Sequence, residues 1–247
     1  MAWRPFVICG DSHGDMIDSK ARKAFLDFCD AYRPDIRIHL GDAIDFRGWR
    51  KGASPEDKAE SMQRDYDMGM QFLRDMGATV WLWGNHDKRV LDVASSANGS
   101  MRDYAGKIAT DMHDTAKQIG CKVVPWGVRK GVYELGKIRA GGYRVIHGYR
   151  HGIHALVAEV KTYGRVIHGH IHCRGSFVGS TYDATEGHTI PCLCRLDMDY
   201  AAGNETGLRQ EHGWAYGVVN DRTGAVVFQH ARKIGRDWIT PSEFGVL

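Results

Sequence analysis

Acidic, amide and imidazole side chains recur in this sequence in five short clusters: Asp11-x-His13, Gly41-Asp42-x-x-Asp45, Gly84-Asn85-His86-Asp87, His147-Gly148 and Gly169-His170-x-His172. Oxygen and imidazole donors in one set, with no thiolate, suit manganese, iron or zinc better than calcium or magnesium alone. Each cluster by itself has a plainer reading. A single Asp-x-His is most often a turn beside a surface histidine, Gly-Asp-x-x-Asp a solvated loop, and Asn-His-Asp a turn that caps a helix. What sets the five apart is their common placement, because each follows an apolar, strand-like run.

Those runs define the frame that must position the clusters. Phe6-Val7-Ile8-Cys9 reads as a buried strand that breaks abruptly into the first cluster. Over residues 19–32 the apolar positions Ala21, Ala24, Phe25, Phe28, Ala31 and Tyr32 keep helical spacing, and Pro34 stops it. Residues 36–40 read as the next strand. Ser54-Pro55-Glu56-Asp57 then opens a long helix, as a capping box with proline at the first helical position. Residues 79–83, 121–125, 143–147 and 165–168 read as further strands, with helices over 101–118 and 154–163 among them.

This alternation predicts an α/β layered fold with largely parallel connections in its first part. In open α/β sheets the carboxyl ends of the strands line one edge, so clusters distant in sequence converge there. Residues 175–213 keep no clear period and read as loop-dominated. Residues 214–219 and 225–230, flanking Asp221-Arg222-Thr223-Gly224, read as a hairpin that closes the sheet.

Composition narrows the function classes. Six Pro and thirty Gly scattered over 247 residues leave no repeat or linker signature, so residues 1–247 read as one domain. A net charge of +3 does not by itself require a nucleic-acid partner. Met1-Ala2-Trp3-Arg4-Pro5 runs into a strand without a signal-peptide core, and no apolar run approaches the roughly 20 residues that cross a bilayer. A cytoplasmic protein with no membrane partner and six reduced cysteines is expected. Cys192-x-Cys194 lacks a second pair to complete a zinc site and reads as structural.

In order and wording the clusters resemble the signature D-x-H, G-D-x-x-D, G-N-H-D/E, H, G-H-x-H of the calcineurin-like metallophosphoesterase superfamily. The stretches Gly142-Tyr143-Arg144-Val145-Ile146-His147-Gly148-Tyr149-Arg150 and Trp214-Ala215-Tyr216-Gly217-Val218-Val219 are similar to compact members encoded by bacteriophages, which would place the protein in a host cytoplasm. The resemblance implies a four-layer α/β/β/α sandwich with mixed sheets flanked by helices. It also implies two divalent ions, manganese first, with iron, zinc or nickel as alternatives. Asp11, His13 and His172 would hold one ion, Asn85, His147 and His170 the other, and Asp42 would bridge them.

The implied reaction is hydrolysis of phosphate mono- or diesters by a hydroxide shared between the ions. His86 would act as general acid, with Asp45 bonded to its other ring nitrogen. Asp87 is expected to bond backbone at its turn. The Ser/Thr protein phosphatase branch places Arg directly after the second Asp, whereas here Phe46 precedes Arg47-Gly48, which argues against that branch. Arginine matches phosphate geometry, and Arg47, Arg89, Arg150 and Arg174 all adjoin a cluster, with Arg150 the first choice for substrate. The pattern does not require His151, His154, His168, His188 or His212, and His168 reads as a packed residue.

Two other readings stay open. Arg129, Lys130, Lys137, Arg139, Arg144 and Arg150, interleaved with Trp126, Tyr133, Tyr143 and Tyr149, could track and stack on nucleic acid, as in a DNA nuclease of the same superfamily. A metal-binding scaffold without catalysis is the alternative outside enzymes.

Overall fold

The computed structural model describes residues 3–96, 99–180, 185–197 and 209–239. The expected single domain over 1–247 and the reading of 175–213 therefore reach beyond the described residues. Strands β1 (Trp3–Cys9), β2 (Ile36–His39), β3 (Val80–Leu82) and β4 (Lys122–Val124) pair in parallel, as the strand and helix alternation predicts. Helices α1 (Ser19–Tyr32), α2 (Pro55–Ala59), α3 (Met62–Asp75), α4 (Arg89–Ala94) and α5 (Gly99–Gln118) lie between them in sequence. The expected closing hairpin is β10 (Gly213–Asn220) with β11 (Val226–Ile234), and β12 (Asp237–Ile239) extends it. Together these strands form one sheet in the order β12-β11-β10-β1-β2-β3-β4.

A second sheet holds β5 (Tyr133–Leu135), β6 (Tyr143–Ile146), β7 (Val166–His168), β8 (Gly175–Val178) and β9 (Glu186–Thr189), in the order β5-β6-β7-β9-β8. Alternation along β1 explains how the two sheets stack. Phe6 and Ile8 face the second sheet and join Ile38, Leu82, Val145 and Ile167 in the core between sheets. Val7 and Cys9 face the other way, where Trp81, Trp83 and Trp214 pack on Phe25 of α1, Phe72 of α3 and Met112 of α5. Outside the second sheet, Ile146 and Val166 meet Leu156 and Val160 of α6 (Ala155–Tyr163). Helices, sheet, sheet and helix give the four-layer α/β/β/α sandwich. Each large apolar side chain buried in this way stabilises it by about 1.5–3 kcal/mol.

Two stretches differ from their sequence reading. The Ser54 capping box forms, but its helix is short: the chain turns extended at Glu60, and Ser61 caps a second start at α3 by accepting from the Arg64 amide. The restart sets Asp65 where its carboxylate accepts from the amides of Asp45 and Phe46, at 3.1 and 2.6 Å. The stretch read as loop contains the β8–β9 hairpin, with β9 parallel to β7 and β8 antiparallel to β9. Small and polar residues hide its period, since Gly175, Ser176, Glu186, Gly187, His188 and Thr189 contribute backbone pairing rather than an apolar stripe. Gly187 is required there, because a Cβ would stand 2.4 Å from Val160 of α6.

Two predictions follow from groups buried beneath the strand ends. Burial, and then the nearby Asp45 charge, push Asp65 up to about 7. Asp65→Ala strands the two amides it serves and should destabilise the protein by about 1–3 kcal/mol in urea unfolding; an unchanged midpoint would show that those bonds carry no stability. His39 Nδ1 accepts from the Gly41 amide at 3.2 Å, so Nε2 carries the proton towards Ser12 Oγ, 3.0 Å away. Burial lowers its pKa from 6.5 to about 3, so the unfolded chain takes a proton that the folded one refuses. The stability linked to His39 is therefore present at neutral pH and is lost as pH falls from 6.5 towards 3. In EDTA, His39→Gln should remove up to about 1.4 kcal/mol per pH unit from that slope, and an identical slope in the variant would rule the linkage out.

Candidate functional site

Five of the residues that the sequence singles out sit in left-handed backbone: Asp11, His13, Asp42, His170 and His172 have φ between 51° and 69°. Left-handed backbone disfavours most side chains, although Asp and His tolerate it better than most, and such strain clusters at functional sites. The strand ends enforce it. The Asp11 amide donates to the Gly41 carbonyl and the His13 amide to the Asp42 carbonyl, both at 2.9 Å, so the first two clusters are stitched together just beyond β1 and β2. Gly169 N donates to His147 O at 2.8 Å and joins the last two in the same way.

Asp11 and Asp42 each give one oxygen to backbone and leave the other facing inward. Asp42 Oδ1 accepts from the His86 amide at 2.8 Å, and Asp11 Oδ2 accepts from the His170 amide at 3.0 Å. Gly84 permits the first of these, since a Cβ would stand 2.1 Å from Asp42 Oδ1. Asp42 Oδ2 then lies 3.2 Å from His147 Nε2 and 4.0 Å from His13 Nε2. Asp11 Oδ1 accepts no hydrogen bond and stands 3.3 Å from His172 Nε2, which is 3.4 Å from His13 Nε2. On the other side of Asp42, His147 Nε2 is 3.1 Å from both Asn85 Oδ1 and His170 Nδ1. His147 Nδ1 donates to the Leu40 carbonyl at 3.1 Å, which leaves Nε2 as the ring's inward lone pair when the imidazole is neutral.

This donor set fits a pair of divalent ions. Donors about 2.0–2.2 Å from a first-row ion stand about 3.0–3.5 Å from one another, close to the spacings here. The ligand atoms of Asp11, His13 and Asp42 all lie within 4.8 Å of one another, as do those of Asp42, His147 and His170. Electrostatics agree. Burial pushes the Asp42 carboxyl up, but the imidazoles of His147 and His86 hold it well below the ordinary carboxylate range. Burial likewise opposes charge on His147, yet the Asp42 carboxylate raises its pKa to about 9. The cluster thus draws protons onto His13, His147 and His172, while burial and then the His147 charge hold His170 well below its ordinary value, and a metal ion competes for the same lone pairs.

Beside the cluster, His86 Nδ1 donates to Asp45 Oδ1 at 2.5 Å. Arg89 braces the pair: Nη1 donates to Asp45 O at 2.7 Å and to Asp45 Oδ1 at 3.1 Å, and Nη2 lies 3.2 Å from His86 Nε2. Burial lowers the His86 pKa, against the pull of Asp42 and Asp45. A cleft of about 260 Å³ opens on His86 and Asp45, lined also by Met16, Arg47, Arg50 and Arg195. Asp87 bonds backbone as expected, accepting from Ile44 N at 3.0 Å and Gly84 N at 2.9 Å. His168 is fully buried.

Arg150 is placed elsewhere, paired with the buried Glu159 at 2.7 Å and donating to Thr162 Oγ1 at 3.0 Å. Several residues of the suggested nucleic-acid track also turn inward: Arg144 donates to Tyr163 O, Tyr149 to Gly127 O, and Tyr143 is buried. The sequence ranks Arg89 level with Arg47 and Arg174 and behind Arg150; its position three residues after His86 is the signal that could have found it. The sequence assigns His151 no role, yet His151 Nδ1 lies 3.0 Å from His170 Nε2.

No helix among the described residues is long and apolar enough to cross a membrane. Over residues 4–157 the chain matches the family model described as Calcineurin-like phosphoesterase. It is similar to the Gene 54 protein of Mycobacterium phage D29, with 27% identity over 186 residues, 68% of this chain and 69% of that protein. The Gene 54 protein of Mycobacterium phage L5 is 26% identical over the same shares. Similar solved structures include an archaeal phosphodiesterase, with TM-score 0.39 and 14% identity over 92% of this chain and 99% of that one. A phosphatase from Mycoplasma pneumoniae has TM-score 0.44 and 11% identity over 99% and 97%. The family match spans more than half of the chain and takes in four of the five clusters, so this chain belongs to the calcineurin-like phosphoesterases and is a metal-dependent hydrolase of phosphate esters.

Proposed function

We propose that the protein hydrolyses phosphate mono- or diesters at a manganese pair held by the residues converging on Asp42. Asp11, His13 and His172 would hold one ion, and Asn85, His147 and His170 the other, with Asp42 shared between them. The observation that carries this reading is the position of Asp42 Oδ2, between His13 Nε2 and His147 Nε2. When bound, the ions supply an acidified water as nucleophile and neutralise charge on the phosphate oxygens.

The chain's own groups do the rest. Asp45 holds the Nδ1–H of His86, which aims Nε2 at the reaction site, 3.8 Å from Asp42 Oδ2. A protonated His86 gives its Nε2 proton to the departing oxygen. Arg89 fixes Asp45 from behind and places positive charge beside that imidazole, which makes the protonated ring the readier donor. The leaving group departs into the polar cleft beside His86. Arg150 serves substrate only if its guanidinium leaves Glu159; Arg89 already stands at His86.

His86→Ala should keep both metal ions and lose activity according to the leaving group. With Mn²⁺ added back to stripped protein, we expect a loss of about 10²–10⁴-fold on alkyl phosphates and a far smaller loss on p-nitrophenyl phosphate. Equal losses on both would remove His86 from the acid role. Parallel assays with bis-p-nitrophenyl phosphate and labelled single-stranded DNA decide between monoester, diester and nucleic acid as the preferred class.

A further inference from the structure

From the contact between His151 and His170, we infer that His151 is a positioning residue for the metal pair, delivered by a buried clamp on Glu159. The inference rests on the proposed ligand role of His170. That ring presents Nδ1 to His147 Nε2 at 3.1 Å, so its proton belongs on Nε2 when it binds metal. Nε2 then needs an acceptor, because a ligating imidazole is oriented by the group that takes its other N–H. His151 provides it: its Nδ1 lies 3.0 Å and its Nε2 3.3 Å from His170 Nε2, with the ring centroids 4.3 Å apart, and the nearer nitrogen is taken as the acceptor. Neutral His151 accepts through Nδ1 and keeps its own proton on Nε2.

His151 is exposed and belongs to no helix or strand, so something else must fix it. Glu159 of α6 is fully buried, and both of its oxygens hold the two residues just before His151. Oε1 accepts from the Tyr149 amide at 2.8 Å, and Oε2 pairs with Arg150 at 2.7 Å. A buried carboxylate is tolerated only when it is paired and hydrogen-bonded, and here the pairing anchors the segment leading to His151. Arg150 therefore has a defined task away from substrate: it ties this segment to α6.

Mn²⁺ titration by calorimetry of the wild-type protein, His151→Ala, His151→Gln and Glu159→Gln tests the chain of contacts. The wild type should bind two ions. His151→Ala should weaken one of the two sites by about tenfold to a hundredfold, the usual effect of losing the group behind a ligand. His151→Gln, whose amide oxygen can accept the same proton, should recover most of that affinity, which simple loss of packing would not predict. Glu159→Gln should weaken the same site by a smaller factor. Two unchanged sites in His151→Ala would overturn the inference and leave the metal pair standing. Fewer than two ions in the wild type, with no change in His170→Ala, would overturn the metal-pair reading and this inference with it.

Discussion

Two buried carboxylates, Asp11 and Asp42, govern the rest of this structure. Both lie in left-handed turns at the ends of adjacent parallel strands, and both are essentially without solvent contact. An isolated buried carboxylate is very unfavourable. The fold answers by giving one oxygen of each to a backbone amide and ringing the others with imidazoles. Those imidazoles are then held in turn, His147 by the Leu40 carbonyl and His86 by Asp45. The sandwich can be understood as the frame that brings the strand ends within bonding distance. Stacking of the two sheets carries His147 and His170, from the second, up to Asp42, from the first.

The arrangement divides the work between the two sides of Asp42. On one side the open oxygen meets the imidazole nitrogens of His147 and His13. On the other, Asp45 faces His13 and His86 together, 3.7 Å from His13 Nδ1 and 2.5 Å from His86 Nδ1. One carboxylate therefore couples His13, a proposed metal ligand, to His86, the proposed proton donor. Arg89 adds a third contact to Asp45, and its Nη2, which can only donate, stands 3.2 Å from His86 Nε2, where it holds the neutral ring and disfavours the protonated one.

Much of this was legible in the sequence because it rests on local rules. Helix α1 follows its apolar spacing and stops before Pro34, and the clusters fall at strand ends because parallel sheets expose that edge. The match between Asp45 and His86, 41 residues apart, came from the family resemblance and not from spacing. Other features depend on tertiary contacts that leave no period. The β8–β9 hairpin is built from small and polar residues held by backbone pairing. The restart at Ser61 serves Asp65, a residue of α3 that reaches back to amides of the second cluster. The arginines illustrate the point most clearly: sequence distance to a motif favoured Arg150, but a buried glutamate ten residues after Tyr149 claims it, and Arg89 is the one that touches His86.

Electron paramagnetic resonance of the stripped protein reloaded with Mn²⁺, compared with Asp42→Asn, tests the central claim most directly. A carboxylate shared between two ions predicts an exchange-coupled signal at two Mn²⁺ per chain, replaced in the variant by the spectrum of isolated ions or by weak binding. Isolated-ion spectra from the fully loaded wild type, or a coupled signal that survives in Asp42→Asn, would contradict the claim that Asp42 joins the two sites.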